Sequence, residues 1–238
     1  MSARLHVSAP PRPVRAVALV LHGGREVSHA PARENHLAVL RMLPIARALR
    51  RRGGEHGLAV ARLRFEVRGW NGAEQSPVAD ARAALDELGR RFPGVPVALV
   101  GHSMGGRTSI YAADHPAVTT VVGLAPWIEG RDPRATMAGR HVLFLHGTAD
   151  TVTDPRMSAR YVREIEPIAA SASFISVTGE KHAMLGRPGV WNDLTVGYVL
   201  SAVCGVSPAQ ESTADGTADG ETTNVLAMAL AGRAALVV

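Results

Sequence analysis

The chain has 238 residues, of which 46% are hydrophobic and 20% are charged, and this length and composition fit one compact domain with or without an appendage. A chain of this size buries enough apolar surface to fold without disulfides or a structural metal. Its single cysteine, Cys204, excludes an intrachain disulfide framework and a thiolate metal cluster. The net charge of +5 comes almost entirely from arginines spread along the chain. Because no segment resembles a groove-reading helix or an aromatic platform, nucleic-acid binding is not expected.

Both ends of the chain differ in composition from its middle. Residues 1–13 are polar and proline-rich and lack the apolar run of a secretory signal, so a cytoplasmic protein is expected. Residues 205–224 are rich in Ser, Thr, Asp, Gly and Glu, which is typical of a flexible segment. Val225–Val238 is apolar but shorter than the ~20 residues of a membrane span. We therefore predict a domain at 1–204 and a flexible tail at 205–238, whose apolar end docks on the domain or on a partner.

Within residues 14–204, short β-branched apolar runs alternate with longer helix-like stretches. The strands are predicted at Val14–Leu21, Leu58–Phe65, Val95–Val100, Val118–Leu124, His141–Leu145 and Ser173–Val177. The helices are predicted at His36–Arg52, Val78–Phe92, Met104–His115, Pro155–Glu166 and Val190–Cys204. This alternation favours an α/β fold with a mostly parallel sheet of about six strands and helices on both faces. Pro44 indicates a kink or a later start in the first helix. The only short apolar run before the first predicted strand is Leu5–Val7, so no early antiparallel hairpin is expected.

Residues that follow the strands are the candidates for function, because ligands of such sheets collect at the carboxyl ends of the strands. Four strands are followed by polar or glycine-rich segments: His22-Gly23-Gly24-Arg25, Gly101-His102-Ser103-Met104-Gly105-Gly106, His146-Gly147-Thr148-Ala149-Asp150 and Gly179-Glu180-Lys181-His182.

The segment Gly101-x-Ser103-x-Gly105 matches the pattern of a nucleophile elbow. In that turn, small neighbours let a strained serine stand above the sheet, where a helix N-terminus favours a developing anion. The five residues alone are equally compatible with a turn that cradles a phosphate. The apolar run before the motif, the helix-like segment after it, and the acid and histidine at later strand ends favour the serine nucleophile.

With these motifs the sequence resembles the α/β-hydrolase superfamily over nearly all of residues 14–204. The resemblance implies the chain order serine, acid and histidine, found here as Ser103, Asp150 and His182. It implies that Ser103 is the nucleophile, that His182 is the general base and later the acid, and that Asp150 orients the imidazole. The backbone N–H groups of Gly24 and Met104 would form the oxyanion hole. No cofactor and no metal are implied.

Each of these assignments has a simpler alternative. Asp150 is of a type that is common in turns, and a loop histidine such as His182 is usually structural. Asp154 is a rival acid, although its position before Pro155 is explained by a helix N-cap. Three other histidines at strand ends are interpreted as packing and hydrogen-bonding groups and not as metal ligands: His22, His102 and His146.

The spacing of the predicted elements limits what covers the site. Only Trp127–Arg140 separates the fourth and fifth predicted strands, so neither a helical lid nor a cap domain is expected. The residues predicted to line a substrate pocket are Trp70, Trp127, Met184, Leu185 and Arg25. Arg25, with Arg68 or Arg107, would meet an anionic substrate group, but ordinary core or surface positions explain all of these residues as well.

Among α/β hydrolases, the pattern is similar to small lid-free members of the dienelactone-hydrolase-like and esterase groups. Position 103 holds serine, whereas dienelactone hydrolases carry a cysteine nucleophile. We therefore expect a carboxylesterase-like serine hydrolase that cleaves an ester, thioester or related acyl bond of a small molecule through an acyl-enzyme. An acyltransferase, peptidase or perhydrolase of the same fold and a non-catalytic binding module are the alternatives. The sequence leaves the acyl chain, the leaving group and the oligomeric state open.

Overall fold

The central sheet of the computed structural model contains eight strands within the described residues, which are 2–207, 220–232 and 236–238. The strands are β1 (Arg4–Ser8), β2 (Ala16–Leu21), β3 (Leu58–Arg64), β4 (Val97–His102), β5 (Val118–Leu124), β6 (His141–Gly147), β7 (Ser171–Val177) and β8 (Leu236–Val237). Their order across the sheet is β1-β3-β2-β4-β5-β6-β7-β8. All neighbouring pairs are parallel except β1 with β3. The predicted α/β sheet is therefore confirmed, with an additional strand at each edge.

Helices cover both faces of this sheet. Those in the described ranges are α1 (Leu37–Leu40), α2 (Leu43–Gly53), α3 (Ser76–Arg91), α4 (Met104–Ala112), α5 (Pro155–Ile165), α6 (Pro188–Cys204) and α7 (Gly220–Leu230). The helices α3, α4 and α5 pack on one face through residues such as Leu85 and Tyr161. The helices α2, α6 and α7 pack on the other through residues such as Leu49 and Tyr198. Every residue of β2 is buried, as expected for a strand covered on both sides.

The helix predicted at His36–Arg52 is divided into two. The short helix α1 ends at Leu40, and α2 begins at Leu43 with Pro44 in its first turn. At that position the missing N–H of proline removes no intrahelical hydrogen bond. The later start that Pro44 indicates is therefore confirmed.

The strand β1 is an addition to the six predicted strands and runs antiparallel to its neighbour. It pairs with β3, with Leu5 opposite Leu63. Because its partner comes much later in the chain, no hairpin turn marks this pairing in the sequence. The edge position also leaves β1 only partly buried, which weakens its hydrophobic signal.

Within the described residues, no inserted domain covers the carboxyl edge of the sheet. The connection between β5 and β6 contains a single turn of 3-10 helix, Ala135–Met137, so this connection supplies no helical lid. Among the described helices, none has the length and apolarity that crossing a bilayer requires.

The C-terminal part of the chain adds α7 and β8 to the domain. Val225, Leu226 and Ala229 of α7 are buried with residues of α6 and β7, and Ser173 donates a hydrogen bond of 2.8 Å to the carbonyl oxygen of Ala229. Of the two possibilities for the apolar C-terminal segment, the structure has it packed on the domain. Within the predicted flexible tail at 205–238, residues 208–219 and 233–235 lie outside the described residues.

Candidate active site

The four polar segments that follow strands lie at one edge of the sheet. They follow β2, β4, β6 and β7. Between β2 and β7, neighbouring strands run parallel, so the carboxyl ends of these strands lie at the same edge. This arrangement gathers residues that are far apart in the sequence, including Ser103, Asp150 and His182.

Ser103 stands in a sharp turn between β4 and α4. Its backbone angles are φ 54° and ψ −117°, a strained conformation for a residue with a side chain. Two glycines allow the turn, because a Cβ atom on Gly101 would collide with the backbone of Gly105, and one on Gly105 with the backbone of Leu21. The N–H of Ser103 donates to the carbonyl oxygen of Leu124 at 3.0 Å. The turn therefore holds the serine rigidly at the helix N-terminus.

The side chain of Ser103 is available for chemistry. The residue is half-buried, and its hydroxyl makes no hydrogen bond with any residue in the described ranges. The carbonyl oxygen of Ser103 accepts hydrogen bonds from the N–H groups of Arg107 and Trp127, both at 3.1 Å. Its main chain is thus bonded on both sides while its hydroxyl remains free.

The amides of Gly24 and Met104 flank Ser103. Neither N–H donates to a protein acceptor in the described part of the chain. A Cβ atom on Gly23 would lie 3.3 Å from the Cβ atom of Ser103, and one on Gly24 would collide with the Met104 side chain. The loop after β2 therefore packs closely against the serine turn, and only glycine fits at position 24. Two free donors beside one serine match what an oxyanion hole requires.

Asp150 lies in the loop after β6, and its side chain is fully buried. One carboxylate oxygen, Oδ2, is 2.8 Å from His182 Nδ1, 3.1 Å from His146 Nε2 and 2.9 Å from the Thr153 hydroxyl. The other oxygen accepts from the N–H groups of Val152 and Thr153. Burial alone would raise the pKa of Asp150, but the hydrogen bonds from the two histidines and the two amides outweigh it and hold that pKa far below its ordinary value. The carboxylate is therefore charged at any working pH.

His182 lies in the loop after β7 and faces Asp150. Because its Nδ1–H donates to the carboxylate at 2.8 Å, the neutral imidazole carries its lone pair on Nε2. Nε2 has no partner among the described residues, and 14% of the side chain is exposed. The rival acid, Asp154, instead caps α5 by accepting from the N–H of Arg156. Asp150 thus contacts both His182 and His146, whereas Asp154 forms no hydrogen bond with a histidine of the described ranges.

His102, directly before Ser103, contacts the loop that carries His182. Its Nε2–H donates to the carbonyl oxygen of His182 at 3.0 Å, and the two rings lie 4.7 Å apart between centroids. Burial, followed by the nearby His182, lowers the pKa of His102 to about 3. Its Nδ1 atom is buried and has no hydrogen-bond partner in the part of the chain that the structure describes. His102 is therefore a neutral donor that ties the serine turn to the histidine loop.

The other two strand-end histidines also make internal hydrogen bonds. The ring of His22 contacts the carbonyl oxygen of Gly23 through Nδ1 and accepts from the N–H of Phe65 through Nε2. His146 bonds the Ser158 hydroxyl at 2.8 Å and Asp150 at 3.1 Å. The prediction that these histidines serve packing and hydrogen bonding is therefore confirmed. The described residues contain no cluster of three or more side chains suited to a metal ion.

Thr153 is a contact of Asp150 that the sequence analysis missed. Its hydroxyl and its backbone N–H both donate to the carboxylate. The signal was available, since a threonine three residues after an aspartate in a loop often bonds back to it.

The residues predicted to line a substrate pocket differ in how exposed their side chains are. Trp70 is 4% exposed and Met184 is 5% exposed, so both pack inside the protein. Trp127 is half-buried, and Leu185 is 74% exposed. Arg25 is exposed and lines a cavity beside Gly24. Trp127, Leu185 and Arg25 therefore remain candidates for contact with a substrate.

Arg107 is engaged by the protein itself. Its guanidinium lies 4.4 Å from the ring centroid of Trp70 and 4.5 Å from that of Trp127. It also forms ion pairs with Asp132 at 2.8 Å and with Glu129 at 2.7 Å. Because both its charge and its faces are occupied, Arg107 holds the wall of the site together and is not free to bind an anion.

The single cysteine lies away from the proposed site. Cys204 ends α6, and burial raises its pKa to about 11.

Comparison with known proteins finds one family model that matches part of the chain. A family model described as serine aminopeptidase, S33, matches residues 56–140, a span that includes Ser103 but neither Asp150 nor His182. No curated protein matches the chain.

Similar solved structures cover most of the chain. An α/β serine hydrolase homologue from Coxiella burnetii is 19% identical in sequence. The match covers 82% of this chain and 90% of the homologue, with a TM-score of 0.62. Est1E from Butyrivibrio proteoclasticus is 12% identical over 84% of this chain and 95% of its own, with a TM-score of 0.64. A serine hydrolase without a lid from Xanthomonas campestris is 21% identical in sequence. The match covers 76% of this chain and 80% of that protein, with a TM-score of 0.53. Together with the strand order and the crossover helices, these similarities show that the chain has the α/β-hydrolase fold.

Proposed function

We propose that this protein is a serine hydrolase that cleaves an ester, thioester or related acyl bond of a small molecule. In this proposal Ser103 is the nucleophile, His182 is the general base and acid, and Asp150 orients and stabilises the imidazole. The N–H groups of Gly24 and Met104 bind the oxyanion. The reaction class is acyl transfer to water through a covalent intermediate.

The first half of the reaction forms the acyl-enzyme. The Ser103 oxygen attacks the substrate carbonyl carbon while His182 Nε2 takes the hydroxyl proton. The carbonyl oxygen becomes an oxyanion that accepts hydrogen bonds from the two free amides. When the tetrahedral intermediate collapses, the bond to the leaving group breaks and His182 returns the proton to that group. The buried, charged Asp150 stabilises the imidazolium that forms between these two transfers.

The second half repeats the same steps with water. His182 takes a proton from a water molecule, whose oxygen attacks the acyl carbon, and then delivers the proton to the Ser103 oxygen. The acid is released and the hydroxyl is restored. No redox step or cofactor is needed to balance this sequence.

The observation that carries the proposal is the conformation of Ser103. A serine at φ 54° stores strain that a merely structural turn would relieve with glycine. Among the described residues its hydroxyl has no hydrogen-bond partner, and it lies at a helix N-terminus beside two amides that have none either. These features together support nucleophilic attack at this position.

The test is covalent labelling. A fluorophosphonate probe is expected to label the wild-type protein at Ser103, and p-nitrophenyl esters are expected to be hydrolysed. Ser103→Ala should abolish labelling and lower kcat by about 10⁶-fold, as loss of a nucleophile does. The matched control is Ser109→Ala, which removes another hydroxyl of α4 that bonds only within the helix. Labelling that persists in Ser103→Ala would refute the proposal.

The match to a serine aminopeptidase model favours a peptidase as the second candidate. An aminopeptidase must bind a free α-ammonium group, for which carboxylates are the usual partners. The described residues that line the cavity beside Gly24 include two arginines and no carboxylate. We therefore place ester or thioester hydrolysis first. Turnover of amino-acid p-nitroanilides that exceeds turnover of all p-nitrophenyl esters would reverse this order.

A further inference from the structure

A cavity of about 360 Å³ lies directly beside the proposed oxyanion hole. The segment that follows β2 forms one wall and includes Gly24 and Arg25. Arg68, after β3, and residues around α1 complete it. Its size is that of a small-ligand site. A larger cavity of about 560 Å³ borders β1 and α2, but it contains no residue of the proposed site.

The charge lining this cavity has one sign. Arg25 and Arg68 contribute two guanidinium groups, and none of the described lining residues is acidic. Neither arginine forms an ion pair in residues 2–207, 220–232 or 236–238, in contrast to Arg107. Glu34, on the segment that leads to α1, is engaged by Arg64 at 3.4 Å and by His6 at 3.1 Å.

The two arginines are held on a fixed backbone. The N–H of Arg25 donates to the carbonyl oxygen of Arg68 at 2.8 Å, and the N–H of Trp70 donates to the carbonyl oxygen of Arg25 at 2.9 Å. The N–H of Arg68 in turn donates to Ala30 at 3.0 Å. The loops after β2 and β3 thus carry both side chains as one unit.

The charge of Arg68 also acts on one neighbouring histidine. Desolvation, followed by the charges of Arg68 and Arg33, lowers the pKa of His36, which also lines the cavity. A concave surface with uncompensated positive charge concentrates anions from solution. Ala38 and Val39 of α1 add apolar surface to the lining, beside the polar residues Asn35 and His36. The cavity therefore suits a short apolar chain that ends in an anion.

We propose that this cavity is a substrate subsite for an anionic group, a carboxylate or a phosphate, attached by a short chain to the scissile acyl bond. Arg25 and Arg68 bind the anion while the carbonyl oxygen occupies the oxyanion hole. This inference rests on the proposed serine hydrolase function and specifies its substrate class. Both arginines are specificity-determining residues and take no part in proton transfer.

The experiment compares esters of matched size with and without a charge. Mono-p-nitrophenyl succinate and p-nitrophenyl butyrate test an anion on the acyl side. The compounds 4-acetoxybenzoate and 4-methylphenyl acetate test an anion on the leaving-group side. In at least one pair, Arg25→Gln and Arg68→Gln should each raise KM for the anionic ester by about 5-fold, the size expected for a partly exposed ion pair. Values for the neutral ester should change by less than about 2-fold.

The control is Arg90→Gln, which makes the same charge change at the end of α3, whose chain leads back to the opposite edge of the sheet. It should leave all four substrates unaffected. Raising the ionic strength from about 0.01 M to 1 M should also remove the preference for the anion, because the Debye length falls from about 30 Å to 3 Å.

The two proposals fail in distinguishable ways. If the fluorophosphonate labels Ser103 but neither arginine variant changes the anionic esters selectively, the subsite is overturned and the hydrolase proposal stands. If Arg90→Gln has the same effect as the cavity variants, overall charge explains the preference and the subsite is likewise overturned. If no labelling occurs at Ser103, both proposals are overturned.

Discussion

The Nε2 atom of His102 lies 3.0 Å from the carbonyl oxygen of His182, so the residue before the proposed nucleophile holds the main chain of the proposed base. Two loops that are distant in the sequence are joined by this bond. Since His102 is fully buried and its pKa is lowered to about 3 by burial and then by His182, the donor stays neutral and keeps its tautomer through the working pH range.

His102 is therefore expected to act as a positioning residue. His102→Leu removes the donor and should lower kcat by about 10-fold, with little change in KM, because the His182 loop loses an anchor. His102→Gln places an amide N–H at a similar reach and should recover most of that loss. Steady-state kinetics and thermal unfolding of both variants provide the check. Equal kcat values in the two variants at equal stability would show that the hydrogen bond does not position the base.

Substitution of the two candidate acids, Asp150 and Asp154, is expected to affect kcat differently. Asp150→Asn should lower kcat by about 10⁴-fold, because His182 then loses both the correct tautomer and the charge that stabilises its cation. Asp154→Asn should leave kcat unchanged, since asparagine is also a good N-cap. The comparison uses p-nitrophenyl ester turnover at saturating substrate. A larger loss in Asp154→Asn than in Asp150→Asn would exchange the two assignments.

Gly24 is expected to tolerate no side chain. In Gly24→Ala the new Cβ atom would collide with the carbonyl oxygen of Arg68 and with the Met104 side chain. Because the proposed oxyanion amide must then move, kcat should fall by about 10²-fold, in the range for one lost donor. Gly54→Ala is the control, because Gly54 has φ −60° and open space around its Cβ position. Unchanged kcat in Gly24→Ala would remove Gly24 from the oxyanion hole.

The buried His22 is expected to make the fold sensitive to acid. Burial, partly opposed by the hydrogen bond to Gly23, lowers its pKa to about 4, whereas an unfolded histidine takes up its proton near pH 6.5. Between these values the unfolded chain binds more protons, so the free energy of unfolding falls as the pH is lowered. The contribution of His22 is on the order of 3 kcal/mol by pH 4.

Urea unfolding between pH 7 and pH 4 measures this effect. His22→Gln should reduce the dependence of the free energy of unfolding on pH by up to about 1.4 kcal/mol per pH unit. The control Val27→Gln, at a side chain that is 67% exposed and carries no ionisable group, should match the wild type. Identical slopes in wild type and His22→Gln would contradict the prediction.

Much of the fold follows from local patterns. Each predicted strand is present within a few residues, because strands covered on both faces require continuous apolar runs. The conformation of Ser103 was also predictable, since glycines at 101 and 105 are needed where backbones approach too closely for a Cβ atom. The strand β1 was missed because an edge strand is half-exposed and its partner is remote.

The sequence by itself determined the alternation of strands and helices, the division of the first helix at Pro44 and the serine turn. These depend on residues within one or two turns of each other, where sterics and hydrophobic periodicity decide the outcome. Only the tertiary structure decided that two of the ten histidines, His146 and His182, meet Asp150. It also decided which arginines form ion pairs with described residues. Arg107 and Arg25 are indistinguishable in the sequence. Whether a charge is neutralised depends on which groups the fold brings within about 4 Å of it. Carboxylates and indole rings surround the guanidinium of Arg107. Arg25 instead lines an open cavity.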